Sequence, residues 1–341
     1  MLMDFQTKEF KLFNMSSWNS LLVELEGSLH NCTWNNLNYY SAYNKIENIS
    51  FVIFHENKLI ALVPVAKNLT TKKVSFSFGN NLIFSTVFSP KIKQSLRKKV
   101  YDYFFKLIKE KFKLKKLKMN FQSSPVYFKN KKVEICAKNQ FELLRYSKSF
   151  NVHNALILDL SEEEDQLLSN MSKYHRKNIN KTSKIKNLKF EILNYKEKKD
   201  KIKEKFSEFK KYHRIRAGRV TRPKKTWEIM LKKIYDNEAD LFYLNLDNKS
   251  ISYLYCARLY DFAWGWSQVN LKKYENISPR HFLEWSVMKY YKRNQFHFYE
   301  IGERYYNQEK FKPSVKELSI SDFKEKYGSD KYPKAFFRAE V

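Results

Sequence analysis

One order of signals occurs twice in this chain, about half its length apart, and that duplication constrains the fold more than any other feature. In the first copy, SFVIF and LIALVPV flank the polar turn HENK, the signature of a hairpin, and a further strand is expected over Val74–Phe78. After Pro90, KQSLRKKVYDYFFKLIKEKF carries Val100, Phe104 and Leu107 on one face of a helix, and LKKLKMNF reads as a strand. The second copy opens with LFYLNL, ISYLYCARL and FAWGWSQV, separated by turns at DNKS and YD, which together read as a three-strand meander. SPRHFLEWSVMKYYKR follows as a helix, with Ser278 as N-cap and Pro279 in the first helical position, and FHFYEIG as a strand. Meander, helix, strand, repeated, predicts an α+β protein of two tandem units, residues 1–150 and 151–341. QSSPVYFKNKK (122–132) and the polar stretch near Asn151 are the expected linkers.

Length and composition agree with two units. At 341 residues the chain exceeds the size at which one core usually stops growing, and 28 Phe with 23 Tyr supply material for two. Cys32, Cys136 and Cys256 lie far apart with no CxxC pair, which argues against a zinc site or a disulfide framework and fits a reducing cytosol. MLMDFQTKEFKLF carries charges where a signal peptide needs an apolar core. The uncharged stretch over residues 75–90 is too short and too polar for a membrane span.

The formal net charge is +29, and its densest part is MSKYHRKNINKTSKIK, residues 171–186, without one acid. In a helix over 162–186, Lys173, Lys177, Lys181 and Lys184 share a face, where like charges repel. The upstream SEEEDQLL offers a local explanation: Ser161 and Glu164 match a capping box, and acids at the start with bases at the end suit the helix dipole. A polyanionic partner is the other explanation. Lys supplies 53 of the 65 basic residues, so the twelve Arg carry more information. Four of them, Arg214, Arg216, Arg219 and Arg222, crowd into YHRIRAGRVTRP, and the guanidinium fork suits phosphate and carboxylate.

The double meander, LDLSEEEDQLLSNMSKYHRKNINKTSK, YENISPRHFLEWSVMKYY, and FYEIG followed by ISDFKEKYG together resemble the Fem-like acyltransferases. These are tandem GNAT-fold proteins that include the peptidoglycan-bridge aminoacyltransferases. The resemblance covers most of residues 40–330 and is best from 158 onward. Gly302 stands alone where the family usually has a glycine pair, and about twenty residues separate it from the FK motif. No heptad-patterned hairpin insert is present, so a tRNA-binding arm like that of the larger Fem enzymes is not expected. The resemblance implies two GNAT-like domains, each a mixed, mostly antiparallel sheet flanked by helices. It implies transfer of an acyl or aminoacyl group from a carrier to an amine of a cell-envelope or surface-glycan precursor. The donor would be acyl-CoA or an acyl carrier protein, with aminoacyl-tRNA as the alternative. Lys324 in ISDFKEKYG matches the motif lysine beside the transferred carbonyl or a phosphate; Lys310 and Lys312 in QEKFKPS form a second alignment. Arg216, followed by Gly218, matches an Arg-x-Gly motif, and Arg176 matches the arginine of the basic helix.

Such transfer needs a held carbonyl, stabilisation of the oxyanion and a place for the ammonium proton, but no metal and no covalent nucleophile. For a base the chain offers His213, suited by its ordinary pKa, and Glu300, which alternatively pairs with Arg304. Lys173, Arg176, Lys177, Arg214 and Arg216 would serve the anionic carrier, and Ser278 with Arg280 opens a helix whose N-terminus suits phosphate. Trp264, Trp266, Trp285 and Cys256 are expected to fill the core. A reading of a different class uses the same charges in a non-catalytic module that binds RNA or a membrane surface. Either protein is expected in the cytoplasm, with the inner membrane face as a peripheral location.

Overall fold

The computed structural model describes residues 4–75, 78, 86–135, 145–309 and 312–341. Cys136, Lys310 and residues 76 and 77 of the expected strand lie outside the described residues. The chain divides into two compact units, Met1–Val152 with Pro333–Val341, and His153–Tyr332.

The first unit runs β1 (Phe5–Glu9), α1 (Met15–Val23), α2 (Trp34–Asn44), β2 (Ile46–Asn48), β3 (Phe51–His55), β4 (Lys58–Val63), β5 (Ala66–Asn68), β6 (Val74–Ser75), β7 (Val87–Phe88), α3 (Gln94–Lys111), β8 (Lys118–Gln122), β9 (Val126–Lys129) and β10 (Lys132–Ile135). The expected hairpin is β3–β4, closed by Glu56 and Asn57 at φ 50° and 59°, the left-handed pair that a two-residue turn requires. It sits inside an antiparallel sheet of order β1-β3-β4-β7. Val100 and Phe104 of α3 enter the core of this unit with Phe51, Ile53 and Val63.

Neither expected linker is irregular chain, although the two units divide beside the second, between Val152 and His153. Residues 122–132 contain the end of β8, all of β9 and the start of β10, and β9 pairs antiparallel with β10. Asn151 lies inside β11 (Ser147–Asp159), whose first half alternates exposed with buried positions. Asn151 and His153 face inward while Phe150 and Val152 are exposed, so this half lacks the inward apolar alternation by which a strand is recognised in a sequence.

From β11 the second unit continues through α4 (Glu164–Asn170), α5 (Lys173–Ser183), β12 (Leu188–Leu193), α6 (Lys199–Ala217), α7 (Lys224–Tyr235), β13 (Ala239–Leu246), β14 (Lys249–Leu259), β15 (Phe262–Asn270), α8 (Pro279–Arg293), β16 (Phe298–Arg304) and α9 (Val315–Glu325). Its sheet has the order β12-β13-β14-β15-β16-β11, antiparallel except for β15 with β16. The meander is present as read: β13 turns into β14 on Asp247 and Asn248, φ 49° and 63°. Short polar side chains tolerate that left-handed backbone better than others. The last strand, β17 (Asp330–Glu340), pairs with β8 from Phe336 to Glu340, so the terminal residues belong with the first unit and not the second.

The stretch read as one basic helix is two. Ser161 does not cap it; its backbone N–H donates to Asp159 Oδ1, and the helix starts at Glu164. The break falls at Met171–Ser172, and Ser172 caps α5 by accepting from the His175 N–H. His175, Ile179 and Thr182 form the buried face of α5. Lys173, Lys177, Lys181 and Lys184 are exposed, as their spacing required.

Candidate active site

The parallel pairing of β15 with β16 lasts for three residue pairs, Phe262 with Phe298 to Trp264 with Glu300. Beyond that, β15 stays with β14 and β16 with β11, and each pairing skips one residue: Trp266 in β15 and Ile301 in β16. Bulges of this kind bend a strand and re-aim side chains. Both bulged residues line a cavity of about 430 Å³. Its other walls are His213, Arg216 and Ala217 at the end of α6, Arg280 and Glu284 on α8, and Lys316, Ile320 and Lys324 on α9. The α9 residues are spaced by four, so one helix face supplies all three. Cavities of this size suit a small ligand or the reacting end of a larger one.

Lys324 crosses β16 where Gly302 leaves room. A Cβ on Gly302 would come within 2.7 Å of Lys324 Cδ, and the backbone there, φ 153°, disfavours any side chain. As a residue Lys324 is half-buried, but its ammonium end lies deep, and this burial is the main reason its pKa falls below the usual lysine range. The Arg280 guanidinium pushes it the same way, while Glu284, Glu303 and Glu300 act against the shift. Arg280 stacks on Phe323, 3.9 Å from the ring centroid, and its Nε is buried without a hydrogen-bond partner. Glu284, unremarked in the sequence, is 4 % exposed. Burial raises its pKa, opposed by the hydrogen bond from Tyr299 and by the charges of Arg280 and Lys324.

Of the residues nominated from sequence, Lys324, His213, Arg216 and Arg280 meet in this pocket. Glu300 is buried on β16 and reaches Lys324 through its charge. Arg304, its suggested partner, is bound to Asp322 and Glu325 on α9. His213 is a poor base: its ring nitrogens are 3.1 Å from Thr221 Oγ1 and 3.1 Å from Arg222 Nη1, and burial with the Arg222 charge lowers its pKa to about 4. Arg214 and Arg216 are both exposed, and Arg216 pairs with Glu275 at 2.5 Å. Arg176 donates to the carbonyls of Ser169 and Met171 at 2.6 and 2.5 Å. It thereby closes the C-terminus of α4, and charged hydrogen bonds of this kind contribute roughly 1.5–3 kcal/mol. Ser278 is left-handed, φ 54°, makes no cap, and donates to Asn178 Oδ1, while Pro279 occupies the first helical position as read. Lys173, Lys177 and Lys312 are exposed. Trp266, expected in the core, is half-buried and lines the cavity, and Glu284 carried no signal, because an aromatic in a strand and an acid in a helix say nothing of a site until the bulge and the neighbouring helix face the same space.

Behind Arg280 lie two buried imidazoles, His175 and His281, with ring centroids 4.7 Å apart. His175 Nε2 is 3.1 Å from the Phe323 carbonyl, so it bears the proton and donates, leaving Nδ1 to accept from Ser172 Oγ. Burial first, then the charges of His281, Lys326 and Arg280, bring the His175 pKa to about 4; burial and Arg280 do the same to His281. With an unfolded-state value near 6.5, each group binds more protons unfolded than folded between those limits. The stability they permit is complete above pH ~6.5 and is lost as pH falls toward 4, at up to about 1.4 kcal/mol per pH unit per imidazole. Tm should therefore drop across that window, and the drop should be shallower in His281→Phe. A Tm that is flat from pH 7 to 4.5 would contradict the neutral buried pair.

Among the described residues no helix is long and apolar enough to cross a membrane, and no group of three or more His, Cys, Asp or Glu is placed to hold a metal. No protein-family model matches the sequence. No curated protein matches it either. Solved structures do resemble it. A crystal structure of FemX is similar with a TM-score of 0.63 at 10 % identity, over 97 % of this chain and 96 % of that one. L-PGS from Bacillus licheniformis is similar at 0.60 and 12 % identity, over 95 % and 90 %. A tandem GNAT protein from the clavulanic acid biosynthesis pathway is similar at 0.53 and 8 % identity, over 99 % and 98 %. The chain is an α+β protein with the tandem GNAT fold of the Fem-like proteins.

Proposed function

We propose that this chain is a transferase of the tandem GNAT fold that moves an acyl or aminoacyl group from a polyanionic carrier to an amine of a cell-envelope or surface-glycan precursor. The observation that carries the reading is Lys324: a lysine drawn into the wedge between two diverging strands, with Arg280, Arg216 and Lys316 around the same cavity. Lys324 polarises the carbonyl and holds the oxyanion, in a site where partial exclusion of water makes the charge count for more. Arg280, Arg216 and Lys316 draw in the phosphates of the carrier, whether acyl-CoA, an acyl carrier protein or aminoacyl-tRNA. The similar structures support the reading at the level of fold, and one of them is described without acetyl-CoA, a donor of the class expected here. The scheme uses no metal. It places the protein in the cytoplasm, peripheral to the inner membrane face.

The exposed lysines of α5 lie outside the cavity and favour a second reading, a polyanion-binding module without chemistry, in which they meet RNA or anionic lipid. One screen separates the two. Acyl-CoA species, aminoacyl-tRNA, uncharged tRNA and phosphatidylglycerol vesicles are compared for their effect on Tm, and transfer to an amine is followed for each donor. A true donor at a hundredfold excess over its Kd should add about 2.7 kcal/mol, a Tm rise of several degrees. Stabilisation by uncharged tRNA or vesicles alone, with no transfer from any donor, would leave the binding module and remove the enzyme.

A further inference from the structure

Glu284 lines the pocket from α8 although it is almost wholly buried. Its Oε1 accepts the Tyr299 hydroxyl at 2.5 Å. Gly265 keeps the facing strand bare: a Cβ there would crowd the Tyr299 ring, 3.3 Å from Cζ, and stand 3.7 Å from Oε1. Among the described residues no donor reaches Oε2, and neither Arg280 nor Lys324 closes on the carboxyl as an ion pair, although both act on it through their charge.

The carboxyl therefore has one oxygen held in place and one left open to the cavity. A plain acyl chain seated beside it would seal that oxygen from water without giving it a partner, which is unfavourable for a buried polar group. A protonated amine would bring the opposite charge and three donors. The other charged side chains on the cavity wall, Arg216, Arg280, Lys316 and Lys324, are cations, so Glu284 is the one acid of that wall that can seat an ammonium.

We propose that Glu284, oriented by Tyr299, selects the transferred group by seating a protonated amine, so that the donor carries an aminoacyl and not a plain acyl group. The inference rests on the transferase reading and narrows its donor. Burial raises the Glu284 pKa, and an arriving ammonium favours the ionised carboxylate, so the selection strengthens as pH rises through the carboxyl's titration.

The test is calorimetric binding of stable amide analogues on two carriers, a pantetheine phosphate arm and 3′-amino-3′-deoxyadenosine. On each carrier a glycyl group is compared with a propionyl group, which replaces the ammonium by a methyl at nearly the same volume. On at least one carrier the wild type should bind the glycyl form at least about tenfold more tightly at pH 7. Glu284→Gln should bind the two forms within about twofold, with propionyl affinity kept or improved, and Tyr299→Phe should fall between. Equal binding of the two forms by the wild type, or a preference that survives in Glu284→Gln, overturns the proposal and leaves the transferase reading standing. So does a Glu284→Gln variant that loses both forms alike, since that marks a structural role. Failure of every analogue to bind overturns the proposal and the transferase reading together.

Discussion

Lys324→Met should depress turnover by about a hundredfold, the usual consequence of removing one donor to a developing oxyanion. Methionine keeps the apolar stem and removes only the charge, so the groove across β16 stays filled. The fold should tolerate the exchange, because the ammonium is buried at a cost that its lowered pKa reports. If the lysine served only as a binding charge for the carrier, KM would rise and kcat would hold; loss in kcat places it at the carbonyl. Lys312→Met, at an exposed position, and Lys310→Met test the competing alignment of the motif. Full turnover in Lys324→Met with loss in Lys310→Met would move the chemistry to the other lysine. Full activity in all three variants would remove the lysine from the mechanism.

Gly302→Ala is expected to be nearly as damaging by a different route. At φ 153° an alanine is strained, at a cost of roughly 1–3 kcal/mol. Its methyl would also occupy the space of Lys324 Cδ and Cε, which stand 2.7 and 3.1 Å from the Cβ position. The lysine would have to leave the crevice. Turnover should fall about ten- to a hundredfold, since misplacement by an ångström is enough to lose that much. Because the loss passes through Lys324, the two changes should not add: Gly302→Ala with Lys324→Met should turn over like Lys324→Met alone while keeping the stability loss of the glycine change. Additive losses in turnover would mean that Gly302 acts on something else.

That dependence of a lysine on a glycine 22 positions away marks the limit of what was legible in the sequence. Lys324 and Gly302 were both noticed, but as members of two motifs. Nothing in either motif says that the absent side chain of one makes the path of the other. Ser161 and Glu164 spelled a capping box, yet the Ser161 amide turns back to Asp159 and the helix begins later. Arg176, read as a ligand for phosphate, donates to two carbonyls at a helix end. His213 stood in the right place with its nitrogens already engaged. In each case a local pattern had two physical uses, and the partner that chose between them lies only two to nine residues away, brought into reach by how the chain turns there.

What the sequence by itself determined is the β3–β4 hairpin, the β13–β15 meander and the helices α3 and α8, because hydrophobic period, left-handed turn residues such as Asp247 and Asn248, and a proline at the first helical position are local properties of the chain. The exposed lysine face of α5 was determined in the same way. Tertiary structure alone decided that β15 and β16 part after three residue pairs, that the last strand returns to β8, and that Glu284 and Trp266 face one cavity with Lys324. Strand pairing, bulges and the desolvation of a charge are set by groups brought together from far along the chain, and they have no period for a sequence to display.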